Sequence, residues 1–248
     1  MNEIPKIFII NLEKSSNRRH FMSNQFDTLD IPFQFVKATL GKTLTTEEKR
    51  MFSTFNTFKN MGRDLHPNEK GCYLSHYYIW KKIVDENIDE AIIMEDDITI
   101  SDDFKSIIEN REKWLPKHWA IFNFAWDTHG NYNFKSKEHI SANPNFSLIE
   151  FQKAQSVMRN GCYMLSYKAA KVLIDKSKPI SYVADTLTGT KHIHQLPIHG
   201  VIPRLAVWND NFPSDIGDDR IIWAAKSRWS LKGIYYRTLI KLQGFITK

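Results

Sequence analysis

Cysteine is scarce: Cys72 and Cys162 are the only two in 248 residues. Two thiols cannot form a disulfide framework, and each stands in a Gly-Cys-Tyr triplet that reads as a buried, reduced side chain. Long apolar runs are missing as well. None approaches the eighteen or so residues a membrane-spanning helix needs. The opening "MNEIPKIFIINLEKS" meets charge too early for a signal peptide, so the expected location is the cytoplasm. Repeats and low-complexity tracts are absent. Acid is also missing throughout residues 221–248, where Lys226, Arg228, Lys232, Arg237, Lys241 and Lys248 equal the whole formal excess of +6. These cations are mixed with Trp229, Leu231, Ile234, Tyr235 and Tyr236. That mixture predicts an amphipathic segment lying on an anionic membrane surface, peripheral to the inner face of the inner membrane. The competing expectation is an ordinary C-terminal helix with its apolar side on the core. No second basic stripe occurs elsewhere, which argues against nucleic acid as a partner.

What is present reads as α/β. The run "KIFIINL" (6–12) is short, apolar and β-branched, as a buried strand should be, and a helix follows to about Leu29 with Phe21 and Phe26 on its apolar side. "FQFVKAT" alternates like a second strand. "TTEEKRMFSTF" opens on a Thr45–Glu48 capping box, and residues 66–87 carry Tyr73, His76, Tyr77 and Trp80 at helical spacing. Strands are expected at 91–97 and 119–126, with a short helix capped by Ser101 between them. Residues 128–147 suggest a loop or hairpin. "QSVMRNGCYMLSYKAAKVLID" predicts a strand and then a helix from about Ser166, and "IHGVIPRLAVW" a late strand. Alternating strands and helices predict a largely parallel sheet that becomes mixed in the second half.

The densest chemistry lies in "AIIMEDDITI" (91–100), where Glu95, Asp96 and Asp97 follow an apolar run. Ligands in open α/β sheets bind beyond the carboxyl ends of strands. Alternation along an extended chain points Glu95 and Asp97 to one side and Asp96 to the other. Two carboxylates at that edge suit a hard divalent cation, manganese or magnesium, that completes its shell with water and phosphate oxygens. A turn and helix cap would use the same acids, and so would a phosphatase or nuclease. Arg18 and Arg19, just past the first strand's turn, are candidates to meet phosphate.

In chain order, "FIINLEKSSNRR", "NEKGCYLSHYYIWKKI", "IIMEDDI", "NGCYMLSYKAAKVLI" and "RLAVWNDNFPSDIG" together resemble glycosyltransferase family 25, over roughly residues 5–217. The resemblance implies a GT-A-like fold: a mixed, Rossmann-like sheet flanked by helices. A donor half would span about 1–127 and an acceptor half about 128–220, with the basic segment 221–248 appended. It implies an inverting transfer from a UDP-sugar, with β-linked galactose as the sugar and lipooligosaccharide as the acceptor. Glu95-Asp96-Asp97 then takes the place of the Asp-x-Asp element. Asp97 is the safer direct metal ligand, Glu95 a ligand directly or through water, and Asp96 part of the donor site.

On the same footing Asn11, Arg18 or Arg19, and Ala38 would lie by the nucleotide. Ser75 or His76 would serve the donor site, Gly161 would let backbone approach the donor sugar, and Asp215 would contact donor or metal. Asp185 is the expected general base, with Asp127 in reserve. Among His192, His194 and His199 an extra metal ligand is expected, with His194 the candidate. Trp126, Tyr132, Trp208 and Phe212 are candidate sugar-stacking platforms. Two other classes compete: a metal-dependent sugar-nucleotide phosphohydrolase, and a non-catalytic carbohydrate-binding protein on the same fold.

Overall fold

A computed structural model describes residues 4–128, 137–140, 143–151, 157–212 and 219–246. The elements of the first half are β1 (Lys6–Asn11), α1 (Ser16–Thr28), β2 (Gln34–Lys37), α2 (Thr46–Arg50), α3 (Thr54–Met61), α4 (Pro67–Asp85), β3 (Glu90–Glu95), β4 (Ile98–Ile100), α5 (Phe104–Glu109) and β5 (Ile121–Thr128). They are followed by β6 (Lys137–Ile140), β7 (Asn143–Glu150), β8 (Val157–Ser166), α6 (Tyr167–Lys176), α7 (Ala184–Gly189), α8 (Lys191–His194), β9 (Ile198–Ile202), β10 (Ala206–Trp208), α9 (Asp219–Trp229) and α10 (Leu231–Ile246).

Eight strands form one sheet in the order β2-β1-β3-β8-β5-β9-β7-β6. β1 runs parallel to β2 and β3, and β5 parallel to β9, while β8, β7 and β6 join antiparallel to their neighbours. The sheet is therefore mixed and continuous through both halves of the chain, flanked by helices as the α/β, GT-A-like expectation requires. Period-two alternation sets its two faces. Phe8, Ile10, Ala91 and Ile93 pack toward α4, α6 and α7, whereas Ile7, Ile9, Ile92 and Met94 pack toward α1 and α5. Each fully buried large side chain, such as Trp80 or Phe26, contributes roughly 2–3 kcal/mol of hydrophobic burial.

Local signals place most elements. Ser166 caps α6 by accepting from the Ala169 amide. The Thr45–Glu48 capping box forms but closes only the short α2. Ser53 then accepts from Asn56 N and starts α3 separately, so the single helix expected there is two. α4 begins with Pro67 in its first turn and a capping box of His66 and Glu69, with Arg63 gripping Glu69 through two 2.7 Å bonds. Ser101 is not the cap of α5. That position falls to Asp103, whose amide donates to Ser101 Oγ at 3.2 Å. The late strand splits: β9 stays in the main sheet, and β10 leaves it to pair antiparallel with β4. The hairpin expected within 128–147 is present as β6–β7, with residues 129–136 outside the described residues.

Candidate active site

β1 and β3 pair in parallel with Ile10 opposite Glu95, so Asn11 and the acidic run emerge side by side at the carboxyl edge of the sheet. The alternation of β3 carries through its end. Glu95 continues the Ile93 side and faces α4, while Asp96 continues the Met94 side and faces α1.

On the α1 side every oxygen of Asp96 is taken. Its Oδ1 accepts from Arg18 Nη1 at 2.7 Å and its Oδ2 from Asn11 Nδ2 at 2.7 Å, and the group is buried. Asn11 also donates to Ser15 O, and its carbonyl oxygen receives Arg19 Nη1 at 3.4 Å. Arg18 reaches Asp97 Oδ2 at 3.5 Å as well. Asn11 is thereby spent on holding the turn, which corrects its donor-site reading, whereas Asp96 holds the turn and also lines the smaller of two cavities. Arg19 is corrected too, because its guanidinium lies 4.1 Å from the Phe35 ring centroid. Arg18 does line a cavity, with its charge committed to the two aspartates.

The α4 side is different. Two cavities, about 770 and 380 Å³, share Cys72, Glu95 and Asp97 as common wall. The smaller is lined by Ile10, Arg18, Ala38, Ser75 and His76, together with the cations Lys14 and Lys42. Its loop lies hard against the start of α4: a Cβ on Gly41 would stand 1.7 Å from Pro67 O, so only glycine fits there. Ser75 holds the same loop, accepting from Thr39 N at 2.8 Å and donating to Gly71 O at 2.9 Å. The larger cavity brings together Asp127, Asp185, Arg159, Trp208 and Phe212.

Behind the carboxylates runs a buried chain of hydrogen bonds. Trp80 Nε1 donates to Tyr163 Oη at 3.0 Å, and Tyr163 Oη lies 2.9 Å from His76 Nδ1. An indole N–H can only donate, so Tyr163 Oη accepts from Trp80, and the tautomer with the ring proton on Nε2 is the one that also gives the tyrosine proton an acceptor, at Nδ1. That Nε2 is buried without a hydrogen-bond partner, 3.8 Å from Glu95 Oε1. Burial pushes His76 down to about 4, with the charge of Asp185 opposing, so the ring is neutral.

Asp97 Oδ1 is likewise buried without a partner. Burial first, then repulsion from Asp96, raises Glu95 to about 7; burial and the charge of Glu95 raise Asp97 to about 7, and Arg18 opposes both. Cys72, His76 and Glu95 present ligand atoms within 4.8 Å of one another. With the proton on Nε2, and the thiol held well above its usual range by burial, the carboxylate is the natural donor of that trio.

Other expectations are settled by packing. His194 is not a ligand: Nδ1 accepts from Leu196 N at 3.0 Å and Nε2 faces Thr188 O at 3.3 Å, which occupies both ring nitrogens. What approaches Gly161 is protein, since a Cβ there would stand 2.7 Å from both Ile98 Cδ1 and Trp208 Nε1. Trp126 is core, packed on Phe151 and bonded to Val201 O, whereas Trp208 and Phe212 line the larger cavity. Asp215 and Tyr132 lie outside the described residues.

Sequence reasoning missed two residues. Cys72, read as an inert thiol, stands one helical turn before His76 on the same side of α4, a spacing that predicts a shared wall. Arg159 has φ 54° within β8, an uncommon conformation for a residue with a side chain, and sets its guanidinium 4.2 Å from the Trp208 ring centroid. No sequence signal announces that turn of the backbone.

The profile of glycosyltransferase family 25 (LPS biosynthesis protein) matches residues 4–188. A glycosyltransferase 25 family member from Aedes aegypti is 37% identical over 106 residues, covering 41% of this chain and 18% of that protein. Procollagen galactosyltransferase 2 from Homo sapiens is 31% identical over 178 residues, covering 68% of this chain and 27% of its own length. The chain thus spans under a third of these relatives. Among solved structures, a glycosyltransferase involved in the glycosylation of the major capsid of PBCV-1 aligns over 72% of this chain and 69% of its own, with TM-score 0.35 and 8% identity. With the family profile covering most of the sequence, from β1 into α7, the chain belongs to glycosyltransferase family 25.

Proposed function

We propose that the protein transfers a sugar from a UDP-sugar to a lipooligosaccharide acceptor with inversion, galactose in β linkage being the leading choice. The observation that supports this reading is the shared wall of the two cavities, where Glu95 and Asp97 border both at once. Membership of the family supports transfer, and the galactosyltransferase name of the human relative supports the choice of sugar.

The residues present fit a divalent cation. Asp97 has a buried oxygen without a partner, Glu95 stands beside it, and both are oxygen donors of the kind magnesium and manganese prefer. Asp97 and Glu95 would hold the ion, which when bound supplies charge neutralisation for the departing diphosphate. The chain's own residues do the rest. The smaller cavity, with Lys14 and Lys42 on its rim, takes the nucleotide, and Ala38 and the Ser75-held loop shape it. Arg159, on the larger-cavity side of the carboxylates, adds positive charge near the scissile bond.

In the larger cavity Asp185, in the first turn of α7, accepts the proton of the attacking acceptor hydroxyl. The hydroxyl oxygen bonds to the anomeric carbon as the bond from that carbon to the diphosphate oxygen breaks. One displacement inverts the configuration. Asp127 borders the same cavity and orients the acceptor, and Trp208 and Phe212 offer ring faces to its sugars.

A screen of UDP-sugars with manganese and an oligosaccharide acceptor tests this. Transfer from UDP-galactose, exceeding hydrolysis once acceptor is added, is the expected result. Hydrolysis undiminished by acceptor would instead indicate a phosphohydrolase, and binding without turnover a carbohydrate-binding protein.

A further inference from the structure

The C-terminal pair α9–α10 is attached to the body along one side only. Tyr236 stacks on Phe58 with centroids 5.5 Å apart, Trp223 meets the His66 ring edge-on at 5.3 Å, and Ser227 Oγ accepts from Asp64 N at 2.9 Å. Core packing therefore explains that side of the pair. It leaves Trp229 72% exposed and Leu231 88% exposed, with Ile234, Tyr235 and Leu242 also exposed. On α10 these follow the spacing i, i+3, i+4, i+11, a single stripe along the helix.

Charge decides what covers the stripe. Lys226, Arg228, Lys232 and Lys241 are exposed around it, Lys232 with Asp64 Oδ2 3.8 Å away, and the only acid within residues 219–246 is Asp219 at the start of α9. A second copy meeting this surface about a two-fold axis would set cations against cations. An anionic lipid surface satisfies both the apolar stripe and its cationic border. No described helix is long and apolar enough to cross a membrane, so the mode is docking along the surface.

The same pair belongs to the site. Arg220, Ile221 and Ala224 of α9 line the larger cavity, and Ile221 is also exposed, so α9 forms the rim rather than the floor. We propose that α9–α10 docks on an anionic lipid surface and thereby presents the rim of the acceptor cavity to it. The acceptor's sugar then enters while its lipid stays in the membrane. The docking half stands on α9–α10 alone, whereas the acceptor half rests on the transferase reading.

The test uses the full chain in co-sedimentation with phosphatidylcholine vesicles, with and without phosphatidylglycerol. Binding to the anionic vesicles, weakening as salt rises, is expected. Neutralising Lys226 or Arg228 to Gln should weaken partitioning about fivefold per residue. Leu231→Glu/Tyr235→Glu, at exposed positions, should lower it at least as much with the circular dichroism spectrum unchanged. Those variants should match wild type on a soluble acceptor and fall behind it on the same acceptor tethered in vesicles.

No preference for anionic vesicles, or unchanged binding by Leu231→Glu/Tyr235→Glu, would overturn docking. So would a dimer that the same variants dissociate, or association with soluble RNA or an acidic protein in preference to vesicles. Vesicle binding without transfer to any acceptor would overturn the acceptor half and the transferase reading while docking stands.

Discussion

Asp96 and Asp97 are neighbours in sequence, yet the structure puts them in opposite electrostatic situations. On the α1 side Asp96 is buried with a guanidinium and an amide on its two oxygens. On the α4 side Glu95 and Asp97 are pushed up to about 7, with a buried carboxylate oxygen and a buried imidazole nitrogen lacking partners nearby. The first arrangement is complete without any ligand. The second is costly until positive charge arrives, and it lies where two cavities meet. Incomplete satisfaction at a cavity wall marks chemistry more sharply than charge density alone.

The comparison is broken most strongly on the α4 side. Asp185→Asn should lower kcat about 10³-fold with KM for the donor little changed, read by initial rates over donor concentration. An unaltered kcat would move the base to Asp127. Asp97→Asn should cost about 10²–10³-fold in turnover while circular dichroism shows an intact fold.

Asp96→Asn acts on the other side and should show chiefly in stability, at about 3 kcal/mol in urea unfolding, because it breaks a buried pair with Arg18. Equal stability would mean that Asp97 takes over Arg18. Tyr163→Phe removes the hydroxyl between Trp80 and His76; the expected loss is about 1 kcal/mol of stability and a smaller fall in turnover than at Asp97.

The pH dependence sharpens the contrast further. A carboxylate whose folded pKa is raised keeps its proton in the native state after the unfolded chain has released it. Stability contributed by Asp97 therefore falls as pH climbs from its ordinary 3.8 to about 7, then levels. His76, His194 and His199, each lowered to about 4, act in the opposite direction as pH rises toward 6.5. The difference between Asp97→Asn and wild type isolates the carboxylate. In cation-free buffer the variant's advantage in melting temperature should be absent near pH 4, grow to about pH 7 and stay constant above it. An advantage that shrinks with pH would refute the assignment.

How much of this could be read from the sequence depends on range. Apolar run lengths gave β1 and β3, helical spacing gave α4, and alternation assigned Glu95 and Asp96 to opposite sides, because each is a local geometric rule. The partner of Asp96 is Arg18, 78 residues away, and nothing local encodes that pairing. The same limit explains Gly161, whose need for no side chain comes from Trp208, and His194, whose ring is used up by Thr188 and Leu196. Cys72 looked inert because its triplet does not reveal that α4 faces the ends of β3. The exit of β10 from the main sheet depends on β4, which alternation over so short a stretch did not predict.

The most direct test is manganese titration in the presence of UDP, with the shift in melting temperature measured against each protein's own cation-free baseline. Wild type and Asp96→Asn should both be stabilised as manganese rises, and Asp97→Asn should not. A full response in Asp97→Asn, or a response lost only in a folded Asp96→Asn, would contradict the division of the acidic run into a structural side and a cation-holding side.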